Sequence, residues 1–269
     1  MKIIDNTDEL LCKDSFPIER VRVDRDNQIS HEAFNDAVII EHHMAVFING
    51  QLAFKLVCTP QKLDALVLGF LFSEGYVKSI DDIEYIYICK SGEQAKVQLN
   101  KILQLSKIEH DTASASISCG NNKMIRKAAF TSSLSMLPSH KWSHETIFEL
   151  ADICNRDAEL FSETGGTHSC ALSIKGKLAF TCEDIGRHNA VDKIIGLALA
   201  AKKDLNEAII FTSGRTPSDL VIKAIRSGIP VIASHSAPTN EAIELALAFN
   251  LTLIGFVRGR RMNIYTGSR

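Results

Sequence analysis

The most constraining feature of the chain is a series of short apolar strands that alternate with helices in its C-terminal half. Strands are predicted at residues 208–212, 231–234 and 251–256, and helical periodicity fills the intervals at 217–227 and 240–249. Strands this uniformly apolar are buried on both faces, and strands that are joined through helices run parallel. The pattern therefore predicts an α/β domain built on a mostly parallel sheet.

The rest of this half adds helices and a hairpin to that core. The predicted elements are a helix over about 143–161, a hairpin of strands 169–174 and 178–182, a helix over about 187–202 and a short edge strand at 262–265. Lys175-Gly176-Lys177 supplies the hairpin turn. The second domain is therefore predicted to span residues 117–269.

The N-terminal half is richer in strands. Strands are predicted at 37–40, 44–48, 51–58, 83–88 and 96–99. Asn49-Gly50 is a hairpin turn signal, and Thr59-Pro60 is typical of a helix start, with Thr59 as the N-cap. These elements predict a smaller α+β domain over residues 1–116. Periodicity is lost over 103–122, which indicates a linker at its end.

Composition excludes several classes of function. The chain has 269 residues and a net charge of −2, which gives no global attraction to nucleic acid, so DNA binding is not expected. No apolar run approaches the roughly 18 residues of a membrane span. The first residues are too polar for a signal peptide. We therefore expect a cytoplasmic protein that does not insert into membranes.

Cys119 differs from the other cysteines in its surroundings. The chain has seven cysteines and no CxxC spacing, which argues against a zinc knuckle or a disulfide framework. Those in strand-like or helical runs are expected to fill the core: Cys58, Cys89, Cys154, Cys170 and Cys182. Cys119 instead lies in a Ser/Gly/Asn stretch just before a predicted helix with nearby cations, which favours the thiolate. It is either a nucleophile or an ordinary loop cysteine.

Four polar runs fall at strand ends or in loops that could join them. They are residues 163–168, 183–193, 212–219 and 256–261. In open parallel sheets, ligands gather outside the carboxyl ends of the strands. The third run combines a strand end, a glycine turn and a helix start with Arg215, and the fourth has three arginines around Gly259. Each could be a simple capping turn or a solvated segment, but together they predict a basic rim around a phosphorylated or nucleotide-like ligand.

The same runs, in this order, resemble the formate dehydrogenase accessory protein family, FdhD/NarQ. The matching stretches are 57–60, 69–75, Ser118-Cys119-Gly120, 164–168, 183–193, 213–216, 236–239 and 255–259. They extend over about residues 37–266, nearly the whole chain. The run from Glu183 to Lys193 is the most specific of them.

The resemblance implies both a fold and a function. The fold is α/β, with a C-terminal cytidine-deaminase-like three-layer α/β/α domain and a smaller N-terminal α+β domain. The function is a cytoplasmic, homodimeric sulfurtransferase. A cysteine desulfurase supplies sulfur as a persulfide on Cys119. The sulfur then passes to the bis-molybdopterin guanine dinucleotide cofactor that is destined for formate dehydrogenase.

The resemblance also implies the site residues. Cys119 is the persulfide position, and residues 256–261 match a cofactor-binding segment. The residues expected to bind the cofactor are Phe256, Val257, Arg258, Gly259, Arg260, Arg261, Ser213, Gly214, Arg215, Thr216, His188, Asp184, Arg187, Thr167 and His168. Catalytic zinc is not expected, because the H-x-E and P-C-x-x-C signature of zinc deaminases is missing.

One departure from the family pattern concerns the thiol chemistry. The family commonly has a second cysteine three positions after the first, and this chain has Asn122 there. Transfer of sulfur between two motif cysteines is therefore in doubt, whereas a single persulfide at Cys119 remains workable. Two alternatives stay open, namely a molybdenum-cofactor-binding chaperone without thiol chemistry and a metabolite enzyme on a deaminase-like fold.

Overall fold

The computed structural model describes residues 1–7, 9–100 and 134–267. Cys119, the whole of the linker predicted over 103–122 and the start of the helix predicted after it lie outside these residues. The strands of the N-terminal half are β1 (Lys2–Asp5), β2 (Lys13–Val23), β3 (Ile29–Ile39), β4 (His42–Ile48), β5 (Gln51–Cys58), β6 (Ile83–Ile88) and β7 (Gln94–Leu99). Its helix α1 spans Leu63–Ser73, and a 3₁₀ turn covers Ile80–Asp82.

Two sheets form in this half. A five-stranded sheet has the order β1-β6-β7-β4-β5, and β2 pairs with β3 in a separate two-stranded ribbon. Asn49 and Gly50 join β4 to β5 with φ of 49° and 83°, as a type I′ turn requires, which confirms the predicted hairpin. Apolar residues of α1 pack on the inner face of the five-stranded sheet. The sequence did not predict β1 and β2, and only the end of β3 was expected.

The C-terminal half is a three-layer α/β/α unit. Its helices are α2 (His144–Arg156), α3 (Glu159–Thr164), α4 (Arg187–Ala200), α5 (Ser218–Arg226) and α6 (Asn240–Ala248), with a 3₁₀ turn at Leu205–Glu207. Its strands are β8 (His168–Ile174), β9 (Lys177–Asp184), β10 (Ala208–Thr212), β11 (Val231–Ser234), β12 (Thr252–Arg258) and β13 (Arg261–Thr266). They form one six-stranded sheet.

The strand order of this sheet is β13-β12-β11-β10-β8-β9. The three central strands β10, β11 and β12 run parallel, as predicted, and antiparallel strands flank them on both sides. Apolar residues of α2 cover one face, whereas α4, α5 and α6 cover the other. The carboxyl ends of the three parallel strands therefore meet at one edge of the sheet.

The two halves pack together through α1 and α4. Gly69 on α1 and Gly196 on α4 lie at the crossing, where a Cβ atom on either would come within 2 Å of a carbonyl oxygen of the other helix. Only glycine allows backbones to approach this closely. The five-stranded sheet, α1, α4 and the six-stranded sheet are therefore successive layers of one body.

Buried charges also join the halves. Lys223 of α5 is 4% exposed, and its Nζ lies 2.8 Å from Asp192 of α4, 2.7 Å from Glu74 and 3.0 Å from the hydroxyl of Ser73. The charge of Lys223 offsets the cost of burying Asp192, whose pKa burial still raises. Removing Lys223 would leave the buried carboxylate of Asp192 without a counter-charge.

Three local predictions were wrong. Thr59 does not cap a helix, because α1 begins at Leu63 after Lys62, which has a left-handed φ of 52°. The helix predicted over 143–161 is two helices, because the chain leaves helical geometry between Arg156 and Glu159. Cys89 is not a core residue but lies half-buried in the turn between β6 and β7. No helix in the described part of the chain is long and apolar enough to cross a membrane.

Candidate anion site at the carboxyl edge of the sheet

Three of the predicted polar runs meet at the carboxyl edge of the six-stranded sheet. β10 ends at Thr212, which lies opposite Cys170 of β8, so the loop after β10 adjoins the start of β8 at His168. His168 in turn pairs with Asp184, the last residue of β9, which leads into α4. The topology thus brings the start of β8, the end of β9 and the loop after β10 together, as the sequence predicted.

Arg187 and His168 lie side by side at this point. A Cβ atom on Gly214 would lie 3.0 Å from Cβ of Arg187 and 3.4 Å from Nδ1 of His168, so both side chains pack against that glycine. Ser213 accepts a hydrogen bond from the backbone of Ser169 at 3.0 Å, and its hydroxyl lies 3.5 Å from Nδ1 of His168. The absence of a side chain at position 214 thus leaves room for Arg187 and His168.

The two histidines of this pocket have different electrostatic surroundings. Burial lowers the pKa of His168, and the charges of Arg187 and His188 lower it further, so this ring favours its neutral form. His188 points instead to Asp219 in the first turn of α5, with Nε2 and Oδ2 3.1 Å apart. Burial raises the pKa of Asp219, but the hydrogen bond and charge of His188 outweigh it, so the pKa is lowered.

Arg187 can donate to an anionic ligand at this sheet edge. Its side chain is half-buried, and its Nε has no hydrogen-bond partner among the described residues. Buried polar groups are normally paired, so unpaired donors at a ligand site are available to phosphate or carboxylate oxygens. Arg215 adds an exposed guanidinium. These groups fit the phosphates of a nucleotide-like molecule.

Hydrogen bonds connect the loops after β10 and β11 with the last residues of β12. The hydroxyl of Ser234 donates to the carbonyl of Gly214 at 2.6 Å. The backbone N–H of Thr216 donates to Ala237 at 3.1 Å, and that of Phe256 donates to Ser236 at 3.1 Å. The predicted sites at 213–216 and 256–261 therefore belong to one continuous surface.

The arginine run at 258–261 is a tight hairpin turn. Gly259 has φ of 60° at the first turn position between β12 and β13, which fits a type II′ turn. Arg258, Arg260 and Arg261 are all exposed there, and the guanidinium of Arg260 lies 5.6 Å above the ring of Phe148. Phe256 is half-buried at φ 51°, a left-handed conformation that a phenylalanine rarely adopts. The turn therefore presents its charges to solvent at the edge of the sheet.

Four residues predicted to bind the cofactor cannot offer their side chains in this conformation, and one of them is Thr216, which is fully buried. Val257 is fully buried among apolar residues under α2. Asp184 is also fully buried and bonds to the N-terminal half. The hydroxyl of Thr167 donates to Glu183 at 2.7 Å, and Glu183 in turn accepts from the first backbone N–H groups of α3. In the sequence, a run of polar residues does not show which side chains line the site and which are buried behind it.

Sequence reasoning missed His235. Its Nδ1 lies 2.6 Å from the carbonyl of Val257, its Nε2 lies 2.9 Å from the side chain of Asn155, and its own carbonyl accepts from Arg258 at 3.4 Å. It therefore links the loop after β11 to the arginine turn. Its position directly after an apolar strand, like that of Ser213 after β10, was a signal that could have identified it.

The thiols outside the linker differ in reactivity. Burial raises the pKa of Cys58, Cys154 and Cys182 to about 12, which keeps them protonated. At Cys89 partial burial raises the pKa, but hydrogen bonds from Ser91 and the backbone of Gln94 outweigh it, so the pKa is lowered. No three His, Cys, Asp or Glu side chains within 1–7, 9–100 and 134–267 are grouped to hold a metal ion.

Comparison with known proteins identifies the family. The model of the FdhD/NarQ family matches residues 39–269. A protein from Listeria innocua named "Sulfur carrier protein FdhD" is 32% identical, over 93% of this chain and 97% of its own. One of the same name from Sulfurisphaera tokodaii is 37% identical over the same shares.

The fold agrees with a solved structure. The crystal structure of a putative formate dehydrogenase accessory protein from Desulfotalea psychrophila matches with a TM-score of 0.75 and 26% identity, covering 94% of this chain and 97% of that one. The family match and these similarities extend along nearly the whole sequence, so the chain belongs to the FdhD/NarQ family.

Proposed function

We propose that the chain is a sulfur carrier for formate dehydrogenase that binds the bis-molybdopterin guanine dinucleotide cofactor as its cargo and delivers sulfur to it. The observation that carries this proposal is the convergence of His168, Arg187, His188 and Arg215 at one sheet edge. A dinucleotide cofactor bears several phosphates, and these are the groups that guanidinium and imidazolium side chains bind. The names of the relatives support the sulfur-carrier role.

In this proposal Cys119 is the residue that carries sulfur. Its thiolate attacks the outer sulfur of a persulfide on a cysteine desulfurase, which forms a persulfide on Cys119 and releases the donor thiolate. Release of that sulfur as sulfide consumes two electrons: a small-molecule thiol from solution attacks the inner sulfur of the Cys119 persulfide, the outer sulfur leaves as sulfide, and a mixed disulfide remains on Cys119. Because Asn122 replaces the second motif cysteine, no partner thiol comes from that position.

The rim residues have separate tasks in the proposal. Arg187, His188 and Arg215 hold phosphate oxygens, and the exposed arginines of the 258–261 turn extend the positive surface. Asp219 keeps the ring of His188 oriented through their 3.1 Å contact. In the same proposal the protein is a homodimer in the cytoplasm. There it contacts a cysteine desulfurase to receive sulfur and formate dehydrogenase to deliver the cofactor.

Mass spectrometry and maturation assays test the thiol chemistry. After incubation with a cysteine desulfurase and cysteine, the peptide that contains Cys119 should gain the mass of one sulfur atom. Cys119→Ser should abolish that gain and the maturation of formate dehydrogenase. If Cys119→Ser still supports maturation whereas Arg187→Ala does not, the chain is a cofactor-binding chaperone without thiol chemistry.

A further inference from the structure

We propose that Lys193 and Asp184 are positioning residues: their buried ion pair, fastened to Thr59 of the N-terminal half, holds the turn from which Arg187 and His188 reach the anion. The inference rests on the proposed function, because it concerns how the same rim is held in place. Neither side chain can touch a ligand, since both are fully buried.

Lys193 makes every contact that its ammonium group can make. Its Nζ is 2.6 Å from Oδ2 of Asp184 and donates to the carbonyl of Thr59 at 2.9 Å and to that of Glu183 at 3.2 Å. Thr59 lies in the loop before α1, and Glu183 and Asp184 lie at the end of β9. Lys193 itself lies in the second turn of α4. One ammonium group thus fixes three backbone segments relative to one another.

Asp184 and Thr59 hold the turn that precedes α4. Oδ1 of Asp184 accepts from the backbone N–H of Gly186 at 2.8 Å, and Oδ2 accepts from the N–H of Thr59 at 3.1 Å. The hydroxyl of Thr59 accepts from the N–H of Ile185 at 3.0 Å. Both backbone N–H groups between Asp184 and Arg187 therefore depend on this pair of side chains.

Arg187 has little else to fix its direction. Among the described residues its buried Nε has no partner, and its aliphatic stem packs on Gly214, which offers no side chain. The backbone at the start of α4 therefore fixes the position from which the guanidinium extends toward the sheet edge, where its charge also acts on Asp219. A loose turn would let Arg187 and His188 move away from the anion without any change in their chemistry.

The neighbouring residue on α4 provides a matched control. Asp192 pairs with Lys223 in a second buried ion pair, at 2.8 Å, which also joins α4 to the N-terminal half through Ser73. Neither Asp192 nor Lys223 contacts the turn before α4. Two buried lysines thus link the same layers, and only one of them touches the rim.

The test compares Lys193→Met with Lys223→Met in the full chain. We measure GDP affinity by calorimetry, melting temperature, and the pKa of His168 by NMR without ligand. Both variants should melt earlier, but only Lys193→Met should weaken GDP binding, by about tenfold, as expected for one lost charged hydrogen bond. Only in Lys193→Met should the pKa of His168 rise, because Arg187 no longer lies beside it and because Asp184 loses its counter-charge; a change at Thr59, which alters no charge, isolates the first cause.

A milder pair of variants covers the case in which Lys193→Met does not fold. Thr59→Val removes the acceptor for Ile185 and keeps the size of the side chain, whereas Thr59→Ser restores the hydroxyl. We expect weaker GDP binding and a raised pKa of His168 in Thr59→Val, and recovery of both in Thr59→Ser. Equal effects of Lys193→Met and Lys223→Met, or an unchanged Thr59→Val, would overturn the inference.

The same measurements distinguish a failure of the proposed function from a failure of this inference. If the unaltered chain does not bind GDP, or if Arg187→Ala binds it equally well, the rim is not the cargo site. The ligand-free pKa of His168 still reports whether Lys193 positions Arg187. An unchanged pKa in a folded Lys193→Met variant would then refute the positioning role by itself.

Discussion

The crossing of α1 and α4 predicts that an added methyl group destabilises the protein. In Gly69→Ala the new Cβ would lie 1.8 Å from the carbonyl oxygen of Asp192, and in Gly196→Ala 1.9 Å from that of Ala65. A carbon and a carbonyl oxygen normally approach to about 3.3 Å. The helices must therefore separate by about 1.5 Å, because the obstacle is backbone and not a flexible side chain.

The magnitude follows from two opposing effects. Overpacking costs about 3 kcal/mol at the upper end of the usual range, which suits a clash with backbone. Alanine is the better helix former by about 1 kcal/mol, which offsets part of that cost. The free energy of unfolding should therefore fall by about 2 kcal/mol, and the melting temperature by about 4–8 °C for a chain of this size.

Differential scanning calorimetry measures the effect, and Leu247→Ala is the control. Leu247 is 64% exposed on α6, so its replacement should change the melting temperature little. The double variant Gly69→Ala with Gly196→Ala should lose less than the sum of the single losses, because helices already separated by one methyl group tolerate the second better. A melting temperature that rises in either single variant would refute the close approach of the helices.

The remaining predictions concern titration and thiol reactivity. Because the pKa of His168 is lowered, its ring should be neutral in the free protein at pH 7 and take up a proton when an anion binds. Calorimetry should show that GDP affinity rises from pH 8 toward pH 6. In His168→Ala the affinity should not change over this pH range, and an affinity of the unaltered protein that does not change either would contradict the prediction. His168 also affects the stability of the fold, because its pKa is lower in the folded chain than the value of about 6.5 in the unfolded chain. Its contribution to the free energy of unfolding is therefore present above about pH 6.5 and is lost as the pH falls through the pKa of the folded state. Iodoacetamide should label Cys89 before Cys182 in a peptide map of the native protein, since only Cys89 has a lowered pKa; the reverse order would contradict the hydrogen bonds at Cys89.

The central strands could be predicted because burial dictates their composition. The strand predicted at 231–234 is β11 as observed, and the helix predicted at 240–249 differs from α6 by one residue. Most residues of β2 and β3 are exposed, so these strands carry no such apolar pattern. β1 pairs in parallel with the distant β6, and its four residues are too few for an alternation to be recognised.

The position of the site in the fold could be predicted from the sequence, but most of the contacts within it could not. Topology alone brings His168, Arg187 and Gly214 together at the sheet edge. Thr59 illustrates what the sequence concealed. Thr-Pro is a common helix start, but here its backbone and hydroxyl bond to the turn before α4. Secondary-structure propensity depends on neighbouring residues, so it cannot predict a hydrogen-bond partner more than a hundred residues away in the sequence.

The hydrogen bonds that join the loops after β10 and β11 to the end of β12 have a consequence for the thermodynamics of binding. The hydroxyl of Ser234 and the N–H groups of Thr216 and Phe256 bond to carbonyl groups of the protein itself. Because these bonds lie within the protein, association does not have to form them in order to hold the loops in place. The conformational entropy lost on complex formation should come mainly from the rotatable bonds of the cargo, which favours molecules that are themselves stiff.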